Sequence, residues 1–134
     1  MKILIYASRH HGASQRLLDS VRNLRDSHHC DCVHYDELPF LIDALHRSRI
    51  GNRMAVLFPS NHNELARLVA LKHLLFDLQI ILILPNGKSQ TLSHGHTLRP
   101  RFISYADSDF SDVTAVSDKL VERLAATPAA NGFC

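Results

Sequence analysis

Apolar residues gather in five short runs along this chain: Lys2–Ala7, Cys30–Tyr35, Arg53–Phe58, Ile80–Leu84 and Arg101–Tyr105. Between the runs, apolar spacing changes to that of helices. Ile3-Leu4-Ile5, Met54–Phe58 and Ile80–Leu84 are apolar without a break, as strands are when helices cover both faces of a parallel sheet. Cys30–Tyr35 alternates instead. Cys30, Cys32 and His34 point one way, Asp31, Val33 and Tyr35 the other, which predicts a half-covered edge strand.

The intervening segments read as five helices. Ala13–Arg25 carries Leu17, Val21 and Leu24 at i, i+4 and i+7. Pro39 suits the first turn of a second helix holding Phe40, Leu41, Ala44 and Leu45, with Gly51 as its C-terminal cap. Asn61 and Glu64 form a capping pair for a third, His62–Leu78. A fourth, Gly87–Leu98, is polar and interrupted by Gly95. Ser108 or Asp109 caps a fifth, along which Val113, Val116, Leu120 and Leu124 make a narrow seam. The rhythm predicts an α/β fold: a three-layer α/β/α sandwich on a five-stranded parallel sheet in order 2-1-3-4-5, with right-handed crossovers. Residues 1–126 form one domain, and the Pro/Ala/Asn/Gly-rich segment 127–134 is expected to fray.

Composition narrows the function classes. At 134 residues the chain can bury a real core, and 46% apolar with 21% charged residues is ordinary for a soluble domain. A net charge of +2 is too small to argue for nucleic acid, although ten histidines would raise it steeply below about pH 6.5. Three cysteines make no disulfide framework. The apolar stretch Leu65–Leu84 is broken by Arg67, Lys72, His73, Asp77 and Gln79, so no membrane span is predicted. Met1–Tyr6 runs straight into a strand with no signal-peptide pattern. The expectation is a cytoplasmic protein with reduced thiols.

Ligands of such sheets sit beyond the carboxyl ends of the strands. Those ends read Ala7-Ser8-Arg9, Pro59-Ser60-Asn61, Pro85-Asn86-Gly87 and Tyr105-Ala106-Asp107, with no catalytic set among them. In layout, from Met1 to about Ala126, the chain resembles the receiver domains of two-component response regulators. Receivers carry an acidic pair after strand one, a phosphoryl-accepting aspartate at the end of strand three, a hydroxyl after strand four and a lysine after strand five. Here those places fall on Ala7 and Ser8, Pro59, Pro85 and Tyr105. Magnesium needs carboxylate ligands and the transfer needs a nucleophile, and these residues supply neither. The resemblance therefore implies a pseudo-receiver: not an enzyme, but a signalling module that binds another protein. The expected partner face comprises Gly87–Leu98, Phe102–Tyr105 and the exposed side of the fifth helix, with the polar fourth helix as a mobile or docking element. A homodimer built on the Val113/Val116/Leu120/Leu124 seam is a further expectation to test.

The loop after strand one offers an alternative. Ser8, Arg9, Gly12 and Ser14 are similar to the phosphate loop of flavodoxin-like flavoproteins and FMN reductases, which implies an FMN or phosphate-ligand site. Pro59–Asn63 and Pro85–Lys88 would flank it, and Arg9 and Lys88 would supply charge; the opposing expectation is a crevice filled by its own side chains, with His10, His11 and His62 facing water. The loops after strands three and four hold no aromatic residue to stack on a flavin, so no cofactor is the first expectation. The cluster His28-His29-Cys30-Asp31-Cys32-Val33-His34 has metal-ligand chemistry but reads as an edge strand packed under a helix. His10-His11 and His94-Gly95-His96 read as solvated loop residues.

Overall fold

A computed structural model describes residues 2–8, 12–28, 31–47, 52–75 and 77–125. The elements run β1 (Lys2–Ala7), α1 (Ser14–His28), β2 (Asp31–Tyr35), α2 (Leu38–Arg47), β3 (Asn52–Phe58), α3 (His62–Ala70), α4 (Lys72–Leu75), β4 (Gln79–Leu84), α5 (Ser89–His96), β5 (Phe102–Tyr105) and α6 (Ser111–Ala125). All strand pairs are parallel, in the order β2-β1-β3-β4-β5. The predicted sheet and its three layers are the observed ones. The 127–134 tail lies outside the described residues.

Alternation along each strand divides the core in two. Ile3, Ile5, Met54, Val56, Ile81 and Ile83 face α1 and α6. Leu4, Tyr6, Ala55, Leu57, Ile80, Leu82 and Leu84 face the layer of α2, α3, α4 and α5. β2 is the half-exposed edge its pattern predicts: Cys32 packs toward the first layer and Tyr35 toward the second.

Three expectations need correction. The predicted His62–Leu78 helix is two helices. A continuous helix of that length would run about 25 Å, past a six-residue β4 of about 20 Å. The chain instead turns tightly at Leu71, where Leu71 N–H donates to Leu68 and Leu74 N–H to Leu71 at 2.9 and 2.8 Å. That turn brings Leu74, Leu75 and Leu78 back onto the sheet. The seam Val113/Val116/Leu120/Leu124 is core within one chain: Val113 and Leu120 are buried and the other two pack against the same cluster. The polar α5 is seated on β4 rather than loose. An ideal Cβ on Gly95 would lie 3.0 Å from methyls of both Leu82 and Leu84, so the absent side chain is what lets the helix settle.

Candidate functional site

The carboxyl edge of the sheet is where a ligand would be met, and among the described residues several of its polar side chains are engaged within the chain. On the α3 side, Tyr6 near the end of β1 is 1% exposed. Its hydroxyl donates to Glu64 Oε1 at 3.0 Å, and the same oxygen accepts the Ser60 N–H at 2.9 Å. Asn61 caps α3 as predicted, its Oδ1 accepting the Glu64 N–H at 2.9 Å, but Glu64 reaches back to Ser60 rather than to the cap residue. Burial, reinforced by the hydrogen bond and charge of Glu64, pushes the Tyr6 phenol well above its ordinary pKa. It is held protonated as a donor and is withdrawn from acid–base chemistry near neutral pH.

On the α1 side, Arg16 reaches across to the loop after β5. Its guanidinium donates to the carbonyls of Ala106 and Ser108 at 2.8 and 2.9 Å and lies 4.9 Å from the centre of the Phe110 ring. Phe110 has φ 64, an unusual backbone for a bulky residue, yet its ring is fully buried and meets Phe58 edge-on at 6.1 Å. Ser104 and Ser108 donate to the Asp112 carboxylate at 3.1 and 3.2 Å. Asp109 accepts the Ser111 N–H and hydroxyl at 3.0 and 2.8 Å, which holds its carboxyl below the usual range.

The strand ends fall where the pattern placed them: Ala7 closes β1, Phe58 precedes Pro59, Leu84 precedes Pro85 and Tyr105 closes β5. Ser8 and Ser14 are both buried, and the Ser14 hydroxyl donates to the Ser8 carbonyl, so that hydroxyl is directed into the loop's own backbone. Gly12 is exposed beside open space. Arg9, with His10 and His11, lies outside the described residues. A shallow hollow of about 630 Å³ opens at this edge between Pro85–Gly87 and Tyr105–Asp107, toward β5 rather than at the β1/β3 crossing point.

The histidines differ from expectation. His94 and Gly95 belong to α5, not to a loop, and His62 stacks on His94 with ring centres 5.0 Å apart and planes 10° from parallel. His34 meets the Ala7 carbonyl at 3.1 Å and Cys32 packs on the core. His29 and Cys30 lie outside the described residues, and among the described residues no three His, Cys, Asp or Glu gather as a metal site. Sequence reasoning missed Arg16, Phe110 and the Tyr6–Glu64 pair. One signal was available: Phe110 is a lone aromatic in the polar run Ser108-Asp109-Phe110-Ser111-Asp112, the mark of a plug.

No family model matches the chain, and no curated protein matches it. Among solved structures, it is similar to a Burkholderia pseudomallei protein described as a "Putative pilus assembly-related protein". The TM-score is 0.64 at 18% identity, over 94% of this chain and 90% of that one. The likeness confirms the flavodoxin-like α/β fold at nearly full length. Among the described residues, no helix is long and apolar enough to cross a membrane.

Proposed function

We propose that this chain is a receiver-like module that acts by docking to another protein and carries out no phosphoryl transfer. One observation carries the reading: the sheet has the receiver strand order, yet Ala7, Ser8, Pro59, Pro85 and Tyr105 stand at the strand ends where the acidic pair, acceptor, hydroxyl and lysine would be. The carboxyl edge supports it, since there Tyr6, Glu64, Arg16 and Asp112 bond within the chain. The docking face is the side made by α5, β5 and α6, next to the hollow between Pro85–Gly87 and Tyr105–Asp107. The fold neighbour's description makes pilus assembly a sensible setting in which to seek the partner.

Two measurements test this. Beryllofluoride with Mg²⁺, and separately FMN, should leave the melting temperature unchanged; a rise with either would overturn the non-catalytic reading or restore the flavin one. A photo-crosslinking residue at Gln90 or Ser93, both exposed on α5, should capture the same partner from native lysate. Gln15 on α1 serves as the control, and equal capture from Gln15 would remove α5 from the docking face.

A further inference from the structure

At the opposite, amino edge of the sheet, a groove of about 580 Å³ runs between α4 and the turn that joins α5 to β5. Its floor is apolar, from Leu78 and Leu98, both anchored in the core. Its rim carries Lys72, His73, His96 and Arg99, all exposed. Among the described residues, no carboxylate forms an ion pair with any of the four. Basic residues at helix ends have a simple local explanation in the helix dipole. That explanation covers His96 and Arg99 at the end of α5 but not Lys72, which opens α4.

Arg99 is the telling residue. It has φ 52 and its N–H donates to the His96 carbonyl at 3.0 Å, closing the end of α5 in the left-handed turn that glycine ordinarily fills. Pro100 follows it, which disfavours helical backbone in the preceding residue a second time. The chain's other left-handed non-glycine residue among those described, Phe110, is compensated by a fully buried ring. Arg99 is exposed, so no burial offsets its backbone, and what it adds over glycine is a cation at the groove rim.

We infer that this groove binds an acidic segment of a partner protein, with an apolar side chain set on Leu78 and Leu98 and carboxylates on Lys72 and Arg99. Charge complementarity and the apolar floor select that occupant. A lipid surface would call for a protruding rather than a concave basic face, and single-stranded nucleic acid would call for Phe, Tyr or Trp platforms, none of which lines the groove among the described residues. The assignment deepens the docking reading by giving a partner's chemistry, but it rests on a different edge. Loss of peptide binding would therefore leave the crosslinking from Gln90 untouched.

The probe is a fluorescent Glu-Asp-Glu-Leu-Glu-Asp-Glu peptide, followed by anisotropy at low salt against the full chain. Lys72→Glu with Arg99→Glu should weaken binding by about tenfold or more, since like charges then face each other. Replacing the peptide's leucine by glycine should weaken it at unchanged charge. Arg99→Gly should weaken binding several-fold without lowering the melting temperature, which separates the cation from the fold. Three results would overturn the proposal: equal affinity in all variants, equal affinity for the leucine and glycine peptides, or binding to phosphatidylserine vesicles in place of the peptide.

Discussion

The two edges of the sheet are built on opposite terms. At the carboxyl edge, polar side chains find partners inside the chain: Arg16 holds the loop after β5, Glu64 holds Tyr6 and Ser60, and Asp112 holds Ser104 and Ser108. At the amino edge the groove wall is seated by apolar contact, through Gly95 and Leu98, and its cations point outward. The edge expected to hold a ligand is stitched together, and the opposite edge carries cations that no carboxylate pairs among the described residues. Stability should therefore respond to polar substitutions at the first edge, and to steric rather than charge substitutions at the second.

The largest effect should come from Gly95→Leu. Its Cβ would already crowd the methyls of Leu82 and Leu84, which are fully buried and have little room to yield, and the remaining side chain would lift α5 from β4. Overpacking of this kind costs about 3 kcal/mol, against a gain of under about 1 kcal/mol in helix propensity. Urea unfolding measures the difference. A stability equal to that of the wild type would mean that α5 is as loosely held as its polar sequence implied.

Arg16→Ala comes next. It removes donors to two carbonyls and the cation over Phe110, a loss of about 2 kcal/mol. Arg16→Lys should recover only part of this, because an ammonium cannot span both carbonyls and stack on the ring together. Full recovery with lysine would show that charge alone, and not the fork geometry, closes this edge.

Period-two alternation and unbroken apolar runs made the sheet legible, since each strand's two faces are written in consecutive residues such as Leu4 and Ile5. The Asn61–Glu64 cap was legible for a similar reason: its partners are close in sequence. The closures of the carboxyl edge were not. Arg16 meets Ala106 and Ser108 across 90 and 92 positions, and Tyr6 meets Glu64 across 58. Local pattern holds no trace of such pairs. Gly95 was read as an interruption because a glycine in a polar helix looks like weakness when the strand beneath it is unseen. The split between α3 and α4 was hidden too, because leucines at 65, 68, 71, 74, 75 and 78 satisfy one long helix as well as two short ones.

Tyr6→Phe should cost about 1–2 kcal/mol at neutral pH, because Glu64 Oε1 loses one of its two donors. The pH dependence carries a definite sign. A phenol whose folded pKa is raised contributes stability that is complete below its unfolded value of about 10 and is lost as pH climbs toward the folded value. The advantage of the wild type over Tyr6→Phe should therefore shrink above about pH 10, by up to roughly 1.4 kcal/mol per unit. Urea titrations of both proteins at pH 7 and pH 11 give the two gaps. A gap that widens with alkalinity would place Tyr6 in a setting that favours the phenolate, the reverse of a buried donor facing a carboxylate.

Arg99→Gly should have a smaller effect, and in the stabilising direction. A left-handed backbone costs a residue with a Cβ about 1–2 kcal/mol, and glycine removes that cost while giving back about 0.5–1 kcal/mol to a freer unfolded chain. The net gain is about 0.5–1 kcal/mol, a rise of roughly 2–5 °C in melting temperature for a domain of this size. Lys72→Gln, beside it on the groove rim, has no strained backbone to relieve and should move stability by less than about 0.5 kcal/mol either way. If Arg99→Gly were instead destabilising by more than that margin, the guanidinium would be holding part of the fold, and the amino edge would be stitched in the same way as the carboxyl edge. If it stabilises, the chain retains at Arg99 a side chain that its own fold is better off without, which is the condition expected of a residue kept for contact with something else.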